Sequence, residues 1–366
     1  MDKGTQKFLD AFNLNTLEEL QAITQEAETK VSAVVPTGIP VIDETLLRIG
    51  GIPVGRLIEL FGEPDSHKST FTYRMIAAFQ AQFPDKHVLL IDTENVLGDV
   101  YGLSWVIAQG VDPARLHIKY MNSAEETVNL MQNAAKSGLY SLIVLDSLGN
   151  LEVEVNLSGD RFKKDTKGGG YKTDKIGEFA RRVGDGIKVV KSEAKKTNTS
   201  LWVVNQVRSN LDPYGLEFLT PGGNVFHHNR DISIHFSPKK DIAVDGLIVG
   251  KTIGVSIIRS KVCPKARTST DNHMKLFYSA EGQTKANIEA LVEIAISEGV
   301  MAKKGSWISW RENSLQGIPK WIDYFLKRPS DLGQLQADLD GIMQVESEEF
   351  NDLYTEQGIS SEPESG

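Results

Sequence analysis

The sequence predicts an α/β fold with a mostly parallel central sheet, on three observations. Short apolar runs rich in β-branched or aromatic residues recur at residues 56–61, 87–91, 141–145 and 201–204, the composition of strands buried on both faces. Segments with apolar residues at helical spacing alternate with those runs, the order expected of β-α-β units. The runs lead into Asp92 and Glu94, into Asp146, and into Asn205 and Gln206. Those positions are the carboxyl ends of strands, where open α/β sheets bind their ligands.

Taken in order, residues 5–28 read as one amphipathic helix, with Phe8, Phe12, Leu17, Leu20 and Ile23 among polar neighbours. A strand and turn follow in VSAVVPTGI. Such an arm either caps its own domain or reaches a neighbouring subunit. The stretch RLIELFGEPDSHKST (56–70) then gives a buried strand broken by Gly62, a tight loop through Pro64, Asp65 and Ser66, and a helix opened by Lys68, Ser69 and Thr70. Strand, loop, Lys-Ser and helix form the setting of a phosphate-binding loop, whose backbone N–H groups and lysine face phosphates while its hydroxyl holds Mg2+. The pattern G-x-x-x-x-G-K-[ST] is met at Gly62, Lys68 and Ser69, with His67 in place of the second glycine.

HVLLIDTEN (87–95) is a second buried strand, and either Asp92 or Glu94 at its end is placed to polarise a water or to close a turn. A helix is expected over 100–109, a strand over 116–120, and a helix from Ser123, where Ser123 and Glu126 are spaced as a capping box. SLIVLDSLGNL (141–151) delivers Asp146 from a buried strand, the position of an acid that serves Mg2+.

Residues 155–175 carry three consecutive glycines and six basic residues interleaved with Phe162 and Tyr171. Cations for phosphates with aromatics for bases is the composition of a single-strand-binding surface. A long helix (176–195) leads to the strand LWVVNQ, and a second loop, SNLDPYGLEFLTPGGN, spans 209–224; two long loops in one compact core usually serve function. Strands at 231–236, 252–259 and 274–278 close the core, with Arg259, Lys261, Lys265 and Arg267 clustered between the last two. A helix from 285, a hairpin at GSWISWRENS and a helix at IPKWIDYFLKR make a small α+β lobe.

Composition bounds the rest. The 366 residues, 40% hydrophobic and 24% charged, allow two or three domains with a sizeable core. A single cysteine, Cys263, excludes an intramolecular disulfide and a cysteine metal cluster. No segment reaches the roughly 18 apolar residues of a membrane span and the N-terminus lacks an apolar leader, so a cytoplasmic or nuclear protein without membrane partners is expected. Of 49 acidic residues ten fall in residues 329–366, which contain no Lys or Arg. The remainder is near neutral, with 39 acidic against 40 basic residues. An acidic end of this kind either competes with an anionic ligand or is a solvated tail.

Together, IDTEN with Tyr101, LIVLDSLGNL, VVNQVR, TPGGN and GSWISW resemble the RecA family of recombination ATPases, in bacterial or phage-encoded form, over residues 34–327. The resemblance implies a RecA-type P-loop NTPase core (36–282) with two DNA-binding loops. The core is flanked by an N-terminal helix-strand arm (1–35), a small α+β lobe (283–340) and an acidic disordered tail (341–366). It implies ATP and Mg2+ as cofactors. The nucleotide would lie on Gly62, Glu63, Pro64, Asp65, Ser66, His67, Lys68, Ser69 and Thr70, with Ser69 and Asp146 serving the metal.

Glu94 matches the family's catalytic glutamate, Gln206 its γ-phosphate sensor and Tyr101 its adenine-stacking residue. Arg259 and Lys261 match two lysines that reach a neighbour's γ-phosphate across a filament interface. DNA contacts would come from Arg161, Lys163, Lys164, Lys167, Tyr171 and Lys172 in the first loop. Arg208, Leu211, Gly222, Gly223 and Asn224 would supply them in the second. Single- and double-stranded DNA, further copies of the chain in a helical filament, and single-strand-binding and loading proteins are the implied partners, in a bacterial or phage-infected host cytoplasm. Three departures stand out: His67 for glycine, Arg259 for lysine, and a longer, more basic first loop. Two alternatives stay open, a nucleotide- and DNA-binding mediator with little hydrolysis and a RecA-fold ring helicase.

Overall fold

The computed structural model describes residues 33–152, 175–207, 220–262 and 272–342. In chain order, β1 (Val34–Val35) pairs with β2 (Ile52–Pro53). Then come β3 (Leu57–Gly62), α1 (Lys68–Gln82), β4 (His87–Asp92), α2 (Val100–Ala108), β5 (Leu116–Tyr120) and α3 (Ala124–Ser137). These are followed by β6 (Tyr140–Asp146), α4 (Lys175–Thr197), β7 (Ser200–Gln206), α5 (Gly223–Asn229), β8 (Ile232–Val244), β9 (Leu247–Ser260) and β10 (His273–Phe277). The chain continues through α6 (Ala280–Ser297), β11 (Ala302–Lys304), β12 (Trp307–Trp310), β13 (Asn313–Gln316) and α7 (Ile318–Lys327) to a final helix α8 at 329–342.

Eight strands form one sheet in the order β10-β9-β8-β3-β7-β6-β4-β5. Pairing is parallel from β8 to β5 and antiparallel at β8-β9 and β9-β10, so the mostly parallel α/β sheet is as expected. The strand period of two sorts the side chains onto two faces. Ile58, Leu60, Val88, Leu90, Leu142, Val144, Trp202 and Val204 pack on one face with Phe71, Met75, Ile76 and Phe79 of α1. Leu57, Leu89, Ile91, Ile143, Leu145, Leu201 and Val203 pack on the other with α3 and α4. A helix on each face is what makes these strands continuous apolar runs. A third apolar cluster joins α6, β12, α7 and α8 through Val292, Trp310, Trp321, Phe325, Leu335 and Leu339.

Three local readings change. Gly62 is the last residue of the strand rather than a break in it; it pairs with Phe236 on β8 so closely that a Cβ there would come within 2.0 Å of the Phe236 carbonyl oxygen. The strands expected at 231–236 and 252–259 extend into a long hairpin closed by Asp245 (φ 51°) and Gly246 (φ 81°), a pair that suits a two-residue turn. Residues 329–342, counted with the acidic end, form α8, and Leu335 and Leu339 are buried at a spacing that puts both on one helix face. The helix read at 5–28 lies outside the described residues, as does the tail beyond residue 342.

Candidate functional site

In the sheet β3, β7, β6 and β4 are consecutive neighbours, so their carboxyl ends bring Gly62, Gln206, Asp146 and Asp92 to one edge. Above that edge lies a cavity of about 540 Å³, lined by residues 64–70 together with Glu94, Asp146, Ser147, Gln206, Asp241, Lys251 and Tyr278.

The loop between β3 and α1 turns through two left-handed residues, Asp65 and His67, both at φ 58°. Asp and His tolerate that region better than most side chains, which lets this loop turn without the family's glycine. The His67 side chain is half-buried in the cavity lining, its ring centroid 5.6 Å from Tyr278 and its Nδ1 3.4 Å from Thr70 Oγ1. Burial, followed by the nearby Lys251 ammonium, holds the His67 imidazole below its ordinary pKa. Ser66 donates to the Glu63 carbonyl (2.8 Å), tightening the turn. Lys68 leads α1, and its ammonium donates to the carbonyls of Gly62 (3.1 Å) and Glu63 (2.7 Å) and to Ser66 Oγ (3.2 Å). Burial lowers its pKa, partly offset by Asp146, Glu63 and Glu94.

Ser69 Oγ donates to Asp146 Oδ2 at 3.0 Å. Burial pushes Asp146 up to about 6; the Ser69 hydrogen bond holds it down, and the neighbouring Glu94 and Asp92 charges push it further up. A buried acid among other acids is an environment that favours a cation. Among the described residues no three His, Cys, Asp or Glu side chains converge into a metal cage. One hydroxyl and one carboxylate are the protein share that suits Mg2+ carried on substrate phosphates, so the residues present fit that ion.

The two acids ending β4 divide their tasks. Asp92 is buried and accepts from the backbone N–H of Glu94 (3.0 Å) and Leu97 (2.9 Å); it is the turn acid. Glu94 lines the cavity, and its Oε1 accepts from Asn150 Nδ2 (2.8 Å), Gln206 Nε2 (3.3 Å) and Ser147 Oγ (3.4 Å). A carboxylate so held is placed to orient a water against an electrophile in the cavity.

Other sequence-predicted residues are more dispersed. Tyr101 stands on α2 at 84% exposure, outside the cavity lining. Arg259 pairs with Ser233, which pairs with Glu59, three residues before Gly62; at about 3.3 Å per residue that is roughly 10 Å back from the carboxyl edge. Lys261 lies beyond it and donates to the His228 carbonyl. Neither lines the cavity of its own chain. Gly222 and Gly223 adopt positive φ at the head of α5, where Asn224 also sits. Arg161, Lys163, Lys164, Lys167, Tyr171, Lys172, Arg208 and Leu211 lie outside the described residues.

Asp241, Lys251 and Tyr278 were not singled out from the sequence. Lys251 donates to the Asp65 carbonyl (3.3 Å) and is 3.5 Å from the Asp241 carboxylate, so the β8-β9 hairpin grips the loop between β3 and α1. The Asp-Gly turn at its tip was the available signal.

Among the described residues no helix is long and apolar enough to cross a membrane. The model of the RecA N-terminal domain matches residues 15–282. The chain is 28% identical to Protein RecA of Thermus aquaticus over 307 residues, 83% of this chain and 84% of that one. It is 26% identical to Protein RecA of Acinetobacter baumannii over 375 residues, covering 97% of this chain and all of the relative. Protein RecA of Aquifex pyrophilus is 26% identical over 343 residues, 92% of this chain and 90% of its own.

Proposed function

The chain belongs to the RecA family, and we propose that it is a DNA-dependent ATPase that assembles into helical filaments on single-stranded DNA and carries out homologous pairing and strand exchange. The observation that carries this reading is the contact of Gln206 with Glu94. It ties the acid beside the proposed phosphate loop to the strand that leads into 209–224, the proposed second DNA loop.

In this reading the 62–70 loop and Lys68 bind the β- and γ-phosphates, and Ser69 and Asp146 hold Mg2+. When bound, the ion neutralises charge on the phosphate oxygens. Glu94 accepts a hydrogen bond from the attacking water and orients it in line with the γ-phosphorus. Gln206, already on Glu94, reports the γ-phosphate to the loop that follows. Tyr101 stacks on adenine from α2. Arg259 and Lys261, set away from their own chain's cavity, serve a neighbour's. Supporting self-association, Val96, Val100, Tyr101, Trp105 and Ile107 on and before α2 are exposed apolar side chains, of the kind that mark protein contact surfaces. Basic residues of 161–175 would neutralise DNA phosphates, a contact without sequence preference. We assign 1–35 to an oligomerisation arm, 36–282 to the ATPase core, 283–340 to the C-terminal lobe and 341–366 to an acidic tail.

A second reading, a mediator that binds nucleotide but hydrolyses little, draws on His67 alone, whose left-handed backbone carries a side chain where phosphate must approach. One experiment separates them: ATP hydrolysis with and without single-stranded DNA, for wild type and Glu94→Gln, with electron microscopy of the same mixtures. DNA-stimulated turnover lost in the variant, with ATP-dependent filaments, supports the recombinase. Filament-free, DNA-independent background turnover in wild type overturns it.

A further inference from the structure

β3 is apolar on both faces except at Glu59, which is fully buried. Its Oε1 accepts from Asn205 Nδ2 (3.1 Å) and Thr220 Oγ1 (3.0 Å). Its Oε2 accepts from the Arg230 guanidinium and from Ser233 Oγ (2.8 Å). Four donors fill the acceptor capacity of a carboxylate, and burying the charge is tolerable only because they do. An apolar residue of similar size would serve packing as well, so the charge calls for an explanation in what it joins.

Asn205 precedes Gln206 at the end of β7, and Thr220 is the first described residue after 208–219. Arg230 closes α5, and Ser233 stands at the start of β8. One carboxylate, three residues ahead of the phosphate loop, therefore holds both flanks of 208–219 and the elements that follow. Asn205 is fixed from its amide side only: Nδ2 also donates to the Pro221 carbonyl (3.0 Å), while Oδ1 is buried without a hydrogen-bond partner among the described residues. Its orientation, and the backbone of Gln206 next to it, thus depends on Glu59 and on the Thr220–Pro221 pair.

We propose that Glu59 is a positioning residue that makes the Gln206 strand end and the Thr220–Gly222 turn move as one, so that nucleotide occupancy is transmitted to 208–219. The proposal rests on the nucleotide-binding reading of the cavity and deepens the role given there to Gln206. The two oxygens separate the tasks: Oε1 serves the transmission and Oε2 anchors the charge.

The test is hydrogen exchange by mass spectrometry on the full-length protein, with and without a non-hydrolysable ATP analogue and Mg2+. In wild type the analogue should slow exchange in the peptide over 62–70 and in the peptide over 205–222. Thr220→Val, which removes only the hydroxyl donor, and Glu59→Gln should keep the first effect and reduce the second by about tenfold, the low end for a hydrogen bond to a charged group. Ser233→Ala, on the other oxygen, should keep both, which a merely structural role for Glu59 would not predict. Full protection of 205–222 in Thr220→Val overturns the proposal, as does its joint loss with 62–70 or its absence in wild type. DNA-stimulated hydrolysis by wild type is measured alongside. Its absence sinks the recombinase reading without altering what the exchange data say of Glu59.

Discussion

The side-chain amide of Gln206 donates to Oε1 of Glu94 at 3.3 Å, joining the ends of β7 and β4 although β6 lies between them in the sheet. Each residue therefore restrains the other's rotamer in the cavity. Glu94→Gln should lower single-turnover ATP hydrolysis by roughly 100-fold or more, the scale of a lost catalytic acid or base, with nucleotide affinity nearly unchanged. Gln206→Ala should cost less without DNA and more with it. Rapid-quench hydrolysis and nucleotide titration check both.

His67 sits at φ 58° and ψ 32°, where a side chain costs on the order of 1–2 kcal/mol. His67→Gly relieves that strain but loses the Tyr278 ring contact and adds chain entropy to the unfolded state, so stability should stay within about 1 kcal/mol. A β-branched residue fits this region worst, and His67→Val should destabilise by about 1–3 kcal/mol. Denaturant unfolding measures both, and a parallel titration should show the glycine variant binding nucleotide more tightly.

Lys251 is the ammonium that the β8-β9 hairpin places against the proposed phosphate loop, through the Asp65 carbonyl. Lys251→Met keeps the aliphatic stem and removes the donor. Nucleotide affinity should fall about three- to tenfold, in line with a single hydrogen bond, and the salt dependence of binding should weaken. Isothermal titration at two ionic strengths reads both effects.

Glu44, in the short helical segment Val41–Leu47, accepts from Gln336 Nε2 of α8 at 2.7 Å. Burial, then the Asp340 charge, pushes its carboxyl up to about 7 from 4.5, against the Gln336 hydrogen bond and Arg48. The folded state thus favours the protonated acid. Its contribution is fully present below pH 4.5 and is lost as pH rises through about 7. Unfolding free energy should decline across that window, and Glu44→Gln should remove on the order of 1–3 kcal/mol of the decline. Asp43, pushed up to about 8 by burial, leaves a residual slope of the same sign. Denaturant melts at several pH values test this.

Val100 is 77% exposed at the head of α2, so Val100→Glu should leave the melting temperature within a degree or two, as surface changes usually do. If the apolar face of α2 meets a second copy, the buried charge should raise the concentration needed for assembly about tenfold or more. Light scattering against concentration measures it.

The sequence by itself determined the sheet class, the strand-loop-helix order at 57–82 and the strand-end acids. Each of these is written in short-range pattern: two-sided apolar runs, helical spacing after Lys68, Ser123 before Glu126. Ser123 Oγ indeed accepts from the Glu126 N–H at 3.2 Å. What only the tertiary structure decided was long-range. Asp92 and Glu94 are alike in sequence, and the backbone of the turn, by donating to Asp92, leaves Glu94 for the cavity. The meeting of Glu94 with Gln206 depends on strand order, and that of Glu59 with Thr220 on a contact across 161 residues. Neither leaves a local trace, because register between distant strands is set by packing of whole faces rather than by the residues that happen to meet. The hairpin that carries Lys251 to the loop left only its Asp-Gly turn as a local signal, because its outer half is exposed and solvent imposes no apolar alternation on it.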